Sequence, residues 1–327
     1  MNRSSQPLVS IVTPVYNGAE YFEECIESIL AQTYQNWTYT VVDNCSTDGS
    51  AAIAQRYAAR DPRIRVVQNQ SFLSVIPNHN AALRQISPDA KYCKVVFADD
   101  WIFPECLEKM VAVAERHPTA GFVSAYCLEG RDVTCTGLPY STTLIAGREL
   151  GRRTFLNRLY LFGSANCLLY RADLVRTRQP FYNESNIHAD TEACFGLLRV
   201  SDCAFVHQVL TFTRTREGSL TAMSQDLRTY LGGMLHVLIN YGPHFLTPDE
   251  YQALLRQHLS EYYRFLASSV LRGADRKTWD YHQKQLSDAG VGFSRLRLAQ
   301  AVVANLGRAV LNPGETIEKL FSTKRRV

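Results

Sequence analysis

The chain has 327 residues, 46% of them hydrophobic and 20% charged, the balance of a globular protein with apolar mass for a large core. Its formal net charge of +4 is uneven, because residues 225–327 hold 14 Lys and Arg against 9 Asp and Glu. That excess is too dilute for a nucleic-acid footprint and suits an acidic membrane surface better. Nine cysteines without a C-x-x-C pair or a Cys/His cluster at zinc spacing argue against a disulfide framework and a structural zinc, leaving reduced, mostly buried thiols. Residues 1–7 are polar and unlike a signal peptide, and no stretch approaches the roughly 18 apolar residues of a spanning helix. The expected setting is cytoplasmic, with peripheral membrane contact through the C-terminal region left open.

In chain order, residues 8–13 form a compact apolar run, ended by Pro14, that reads as a strand. Residues 19–32 place Phe22, Cys25, Ile26, Ile29 and Leu30 on one helix face. Residues 37–42 read as a second strand and 46–60 as a second helix, with Ser46 and Thr47 as capping candidates. A third strand over 64–68, a third helix over 78–86 and a fourth strand over 92–98 follow. Pro104 opens a helix over 105–116, and 120–126 is the next strand. This alternation predicts an α/β fold with a mostly parallel sheet flanked by helices. From 148 to 221 the pattern loosens into helices and short strands suited to an acceptor platform. Beyond 225 it is all helical, over 226–241, 248–271 and 277–288. In the tail, Ala299, Val302, Val303, Leu306 and Val310 share one helix face, for which packing on the catalytic domain and membrane contact are both open.

In an open parallel sheet, ligands gather at the carboxyl ends of the strands. Three such ends are polar here: Thr13-Pro14-Val15-Tyr16-Asn17, Asp43-Asn44-Cys45-Ser46-Thr47-Asp48-Gly49 and Ala98-Asp99-Asp100-Trp101. The first strand is not followed by G-x-G-x-x-G, and G-x-x-x-x-G-K-S/T is missing from the chain, so neither a dinucleotide fold nor a P-loop is expected. Without a glycine-rich cradle, a diphosphate has to be met by a metal or by cationic side chains. Asp99-Asp100 offers the hard oxygen ligands that Mg²⁺ and Mn²⁺ prefer and share with phosphates.

The ordered set V-S-I-V-T-P-V-Y-N, V-V-D-N-C-S-T-D-G-S and F-A-D-D-W-I-F-P-E resembles the nucleotide half of family 2 inverting glycosyltransferases with the GT-A fold. The resemblance runs from about residue 8 to 221. It implies that Pro14, Val15 and Tyr16 line a nucleotide pocket, that Asp43 bonds the base with Asp48 in the loop behind it, that Asp99 orients the ribose, and that Asp100 binds Mn²⁺ or Mg²⁺. Ile187-His188-Ala189-Asp190-Thr191-Glu192 resembles the family's E-D segment, which makes Asp190 the general base. Phe212-Thr213-Arg214-Thr215-Arg216-Glu217-Gly218-Ser219 resembles its Y-R-x-H-x-x-S segment, which puts Arg216 where a histidine contacts metal or diphosphate. Phe97 stands where many members carry the first acid of an extended D-x-D. Gly163 and Ser164, before 167–170, resemble the entry to an acceptor-facing strand. The implied division is a catalytic domain over 1–224, with a nucleotide half (8–127) and an acceptor half (148–221), followed by a helical region over 225–327. The implied donor is a nucleotide-diphosphate sugar and the acceptor a saccharide or lipid-linked hydroxyl, in surface-polysaccharide or lipid-linked glycan assembly.

Plainer readings stand beside these. Asp43 and Asp48 are residues that build turns, Asp190 suits the first turn of a helix with Glu192 as an alternative base, and Arg214 and Arg216 suit a solvated strand edge. Two other functions fit the same sheet: a non-catalytic nucleotide- or glycan-binding relic, and a sugar-nucleotide pyrophosphorylase. The latter is weakened by the lack of G-G-x-G-x-R near the first strand.

Overall fold

The computed structural model describes residues 6–216, 224 and 227–311, with side chains as far as 307. The expected helix start at Asp226 and the motif residues 217–221 lie outside the described residues, as does the side chain of Val310. The chain divides into two compact units, Met1–Ser219 and Leu220–Val327.

In the first unit the order is β1 (Val9–Val15), α1 (Ala19–Leu30), β2 (Trp37–Asp43), α2 (Ser50–Ala58), β3 (Ile64–Gln68), α3 (Val75–Leu83), β4 (Tyr92–Val95), β5 (Trp101–Ile102), α4 (Cys106–Arg116), β6 (Ala120–Glu129), β7 (Asp132–Thr134), β8 (Leu144–Ile145), α5 (Gly147–Phe155), β9 (Leu169–Arg171), α6 (Ala172–Arg176), α7 (Ala189–Leu198) and β10 (Asp202–Thr213). The sheet runs β3-β2-β1-β4-β9-β6-β10-β5, with β7 on β6 and β8 on β10. It consists of two parallel blocks, β3-β2-β1-β4 and β6-β10, joined through β9, which is antiparallel to both β4 and β6. The sheet is therefore mostly parallel and mixed at its seam. Val9 and Ile11 of β1, Phe22, Ile26 and Ile29 of α1, and Leu107 and Met110 of α4 belong to its main core.

Pro14 does not end the first strand. β1 continues to Val15, with Pro14 opposite Val42 of β2. On its other side the β1–β4 ladder stops at Val12↔Val95, so the N–H that proline lacks falls where the ladder has already ended. Past that point the Thr13 hydroxyl, which donates to the Val96 carbonyl (2.7 Å), takes the place of the backbone ladder. The second helix starts later than the expected 46, because Gly49 adopts a left-handed φ of 97° just before it. Ser46 and Thr47 therefore lie in the loop and do not cap it. The third helix starts earlier than expected, at Val75, and takes Pro77 into its first turn, where a proline costs no helical hydrogen bond.

The stretch over 148–221 holds one long strand where only short ones are expected. β10 spans 12 residues, with register shifts on either side of Val209. His207 and Gln208 interrupt its apolar pattern. His207 bonds the Thr142 carbonyl (2.7 Å) and the Tyr126 hydroxyl (2.9 Å) through its two ring nitrogens. Lys94 of β4 is fully buried, and its Nζ donates to the carbonyls of Asn166 (2.7 Å) and Leu168 (3.3 Å) just before β9. All nine cysteines are free thiols.

The second unit is helical: α8 (Thr229–Phe245), α9 (Pro248–Leu271), α10 (Arg276–Asp288) and α11 (Arg295–Leu311). Its own core gathers Leu235, Tyr262, Tyr263, Leu266 and Leu286. Thr247 and Glu250 close a capping box at the start of α9, satisfying two N–H groups that the helix cannot pair internally.

Candidate active site

The loops after β1 and β2 are stapled together by side chains. Asn17, at φ 48°, accepts from Thr47 N–H through its Oδ1 (2.8 Å). In return, Ser46 Oγ accepts from Asn17 N–H (3.0 Å), Ser50 Oγ from Gly18 N–H (3.0 Å) and Asp48 Oδ2 from Ala19 N–H (2.8 Å). Asp48 thus serves the N-terminus of α1, whose first N–H groups and dipole favour an anion. Partial burial pushes its pKa up, but hydrogen bonds from the Ser50 hydroxyl and the Ala19 N–H outweigh this and hold it below the usual value.

Asp43 closes β2 as a buried residue, with Ser46 N–H at 3.3 and 3.4 Å from its two oxygens. Its neighbour Asn44 is buried too and clamps Leu73, donating to its carbonyl (2.8 Å) and accepting from its N–H (2.9 Å). That clamp carries the loop after β3 over the strand ends and brings Phe72 against Tyr16, ring centroids 4.8 Å apart and nearly edge-on. Both rings remain exposed, at 58% and 50%. Pro14 and Val15 are the last residues of β1 beside this aromatic pair. Neither Asn44 nor Phe72 was expected from the sequence; the only signal was an apolar residue in a polar loop.

Asp99 and Asp100 follow β4, on the far side of β1 from Asp43. They point to different partners, as consecutive residues of an extended segment do. Asp100 is 3% exposed, and its Oδ1 accepts from Arg214 N–H at 2.9 Å. Burial drives its pKa well above the carboxylate range, and the Arg214 N–H only partly offsets this. Asp99 Oδ2 pairs with Arg216 Nε at 3.0 Å. Arg214 is not a solvated edge residue: its Nε donates to Asp99 O (3.0 Å), its guanidinium meets Glu24 (2.5 Å), and it lies over the Tyr21 ring at 4.1 Å. β10 thus completes the Asp99-Asp100 rim from 114 residues away. Among the described residues no group of three or more His, Cys, Asp or Glu forms a metal cage, and no basic side chain pairs with Asp100.

Asp190 sits in the first turn of α7, with its Oδ1 accepting from Thr191 N–H (2.7 Å). Desolvation pushes its pKa up, against the pull of its backbone N–H contacts. Its charge in turn helps raise the pKa values of Tyr160 and Tyr182, after burial as the main cause. Tyr160 holds Thr191 Oγ1 with its hydroxyl at 3.2 Å. Glu192 is placed differently: it is 7% exposed and accepts from Asn186 Nδ2 (2.8 Å) and Asn183 Nδ2 (3.1 Å). Gly163 has φ 58°, and a Cβ there would lie 2.5 Å from Cys167 Sγ, so a close approach explains this glycine. Ser164 Oγ is 3.3 Å from Thr213 Oγ1, one residue before Arg214.

Residues 10–178, just over half of the chain, match the family described as glycosyl transferase family 2. EpsE of Bacillus subtilis, which carries a glycosyltransferase name, is 39% identical over 115 residues, covering 35% of this chain and 41% of its own length. TuaG of the same organism, whose name assigns it to teichuronic acid biosynthesis, is 33% identical over 129 residues, 39% of this chain and 50% of its own. The matches to these two relatives thus span about two-fifths to half of their length. Among solved structures, Staphylococcus aureus TarS in complex with UDP-GlcNAc is similar with a TM-score of 0.64 at 17% identity, over 91% of this chain and 88% of that one. A mannosyltransferase from Pyrobaculum calidifontis in complex with GDP-Man and Mn²⁺ gives a TM-score of 0.53 at 16% identity, over 96% and 84%. These likenesses show the fold, a GT-A type sheet flanked by helices with C-terminal helices added. With the three motifs at the carboxyl ends of β1, β2 and β4 and more than half its length matched, the chain belongs to glycosyl transferase family 2.

Proposed function

We propose that the chain is an inverting, metal-dependent glycosyltransferase that moves a sugar from a nucleotide-diphosphate donor onto an acceptor hydroxyl. The observation that carries this reading is the placement of Asp190 in the first turn of α7, opposite strand ends that carry Asp43, Asp99 and Asp100. In the proposal Tyr16, with Pro14 and Val15, flanks the base, Asp43 bonds it and Asp99 the ribose. Arg216 exchanges Asp99 for a phosphate oxygen through its planar fork. Gly163 and Ser164 lie on the acceptor side.

A hard divalent ion fits Asp100, a buried carboxylate without a basic partner, because Mg²⁺ and Mn²⁺ take one or two carboxylates and complete their shell from phosphates and water. When bound it would supply positive charge to the departing diphosphate. Asp190 takes the proton from the acceptor oxygen as that oxygen attacks the anomeric carbon on the face opposite the diphosphate. Burial makes this carboxylate a stronger base than an exposed one. The anomeric carbon's bond to the diphosphate breaks as the new one forms, its configuration inverts once, and no nucleophile of the chain is needed.

Asp190→Asn keeps the size and cannot accept the proton. Turnover should fall by ~10²-fold or more while donor affinity stays nearly constant. Full turnover in this variant, or a product of retained configuration, would overturn the mechanism. Donor turnover by the wild type also separates this reading from a non-catalytic relic. Surface-polysaccharide or lipid-linked glycan assembly is the setting we favour, on TuaG's name and the basic C-terminal region. That region would touch the inner membrane face peripherally in a cytoplasmic protein. Among the described residues no helix is long and apolar enough to cross a membrane.

A further inference from the structure

Side chains alternate along β4 and its extension, so Val95 and Phe97 share a face. Phe97 stands two residues past the end of the strand and two before Asp99. On that face its ring meets His79 of α3, centroids 4.9 Å apart and tilted by 31°, and His79 in turn meets Tyr182 at 6.4 Å. The arrangement is fastened from behind. Asn80 donates to the Tyr182 carbonyl (2.8 Å) and accepts from its N–H (2.9 Å), locking α3 to the Tyr182 segment. Phe97 and His79 both stay partly exposed, while Tyr182 is buried with its hydroxyl turned to Tyr170 at 3.5 Å. Burial lowers the His79 pKa to about 4, so its ring is neutral near pH 7.

In any single displacement the donor's sugar lies between its diphosphate and the base. In the reading above the diphosphate belongs beside Asp99-Asp100 and the base is Asp190 of α7, the helix that Asn183, next to Tyr182, reaches through Glu192 (3.1 Å). The row Phe97, His79, Tyr182 thus runs from beside Asp99 toward α7, along the path this reading gives the sugar. Its two partly exposed rings, Phe97 and His79, carry no charge near pH 7.

We propose that Phe97 and His79 form an uncharged aromatic wall that selects a donor sugar with a methyl-bearing edge, a 6-deoxy or acetamido hexose, and rejects a hexuronic acid. The inference rests on the donor-site reading above. A hydroxyl turned to the Phe97 ring gives up water without a replacement partner, and a carboxylate gives up far more. A methyl group gains by leaving water.

The test is calorimetric titration of the full chain with Mn²⁺, first with UDP, GDP and dTDP, then with the sugar series of whichever nucleotide binds best. Methyl-bearing sugars should bind at least ~3-fold tighter than the parent hexose, and the hexuronate at least ~10-fold weaker than either. Phe97→Asn should bring these ratios to within ~2-fold while the bare nucleotide's affinity holds within ~3-fold. His79→Asn is the second variant, should the first not fold. A hexuronate bound as tightly as the acetamido sugar, or ratios unchanged in both variants, would overturn the wall while leaving the donor site standing. Failure of every nucleoside diphosphate to bind would overturn the donor-site reading, and the wall with it.

Discussion

Asp190 and Glu192 are two residues apart on one helix and do opposite things. Burial raises the pKa of Asp190, so the native state holds its proton more tightly than the unfolded chain, where an aspartate titrates near about 3.9. As pH rises through that value the unfolded chain ionises first, and stability is lost until the native group has ionised too. Asp190→Asn should therefore melt at a higher temperature than the wild type at neutral pH, while the acid limb of the wild type's pH–rate profile lies above the usual aspartate range. A lower melting temperature in this variant would show that the native carboxylate is stabilised. For Glu192 the expectation reverses, because it accepts from two asparagine amides. Glu192→Gln turns an amide toward an amide and should cost about 1–3 kcal/mol, read as a lower denaturation midpoint. At the rim, Asp100→Ala should abolish Mn²⁺-dependent donor binding, and retained dependence in a titration would remove Asp100 from the metal. The acids at strand ends were legible in the sequence because carboxylates are conspicuous after apolar runs. Arg214, Asn44 and Phe72 were not, since their importance lies in partners 29 to 190 residues away.

The elements of the nucleotide half follow the sequence closely, because each apolar run or helical stripe there is buried against its own neighbour. Where a boundary moved, a backbone preference was overruled from outside the element: Pro14 stays in β1 because β4 has already turned away, and Gly49 delays α2. The start of α1 shows the same borrowing, since its first N–H groups are met by Ser50 and Asp48 from the next loop. Asp48→Ala should cost about 1 kcal/mol, as loss of a helix N-cap does, measured by denaturant titration. An unchanged midpoint would mean that water replaces the carboxylate at no loss. β10 was hidden because His207 and Gln208 break its period at the register shifts, and the antiparallel setting of β9 was hidden because strand pairing leaves no local trace.

At the scale of the molecule, the seam between the two parallel blocks is narrow, and Lys94 reinforces it from inside. Lys94→Met should leave the carbonyls of Asn166 and Leu168 without their donor and cost about 1–3 kcal/mol. A variant as stable as the wild type, by calorimetry, would show that an apolar side chain serves the seam equally well. The order of strands in the sheet also has a consequence for how the protein is made. Chains emerge from the ribosome amino end first and compact as they go. Residues as far as β4 can assemble the loops at Asp43 and Asp48 from strands and helices close in sequence. Yet the sheet receives its central β9 (Leu169–Arg171) only about 70 residues after Asp100, and Asp100 its Arg214 contact from 114 residues further on. A nascent chain still tethered near β6 would carry the loops at Asp43 and Asp48 without Asp190 or the Arg214 contact, so under the proposed mechanism it could not spend donor sugar until about two-thirds of the chain has been made.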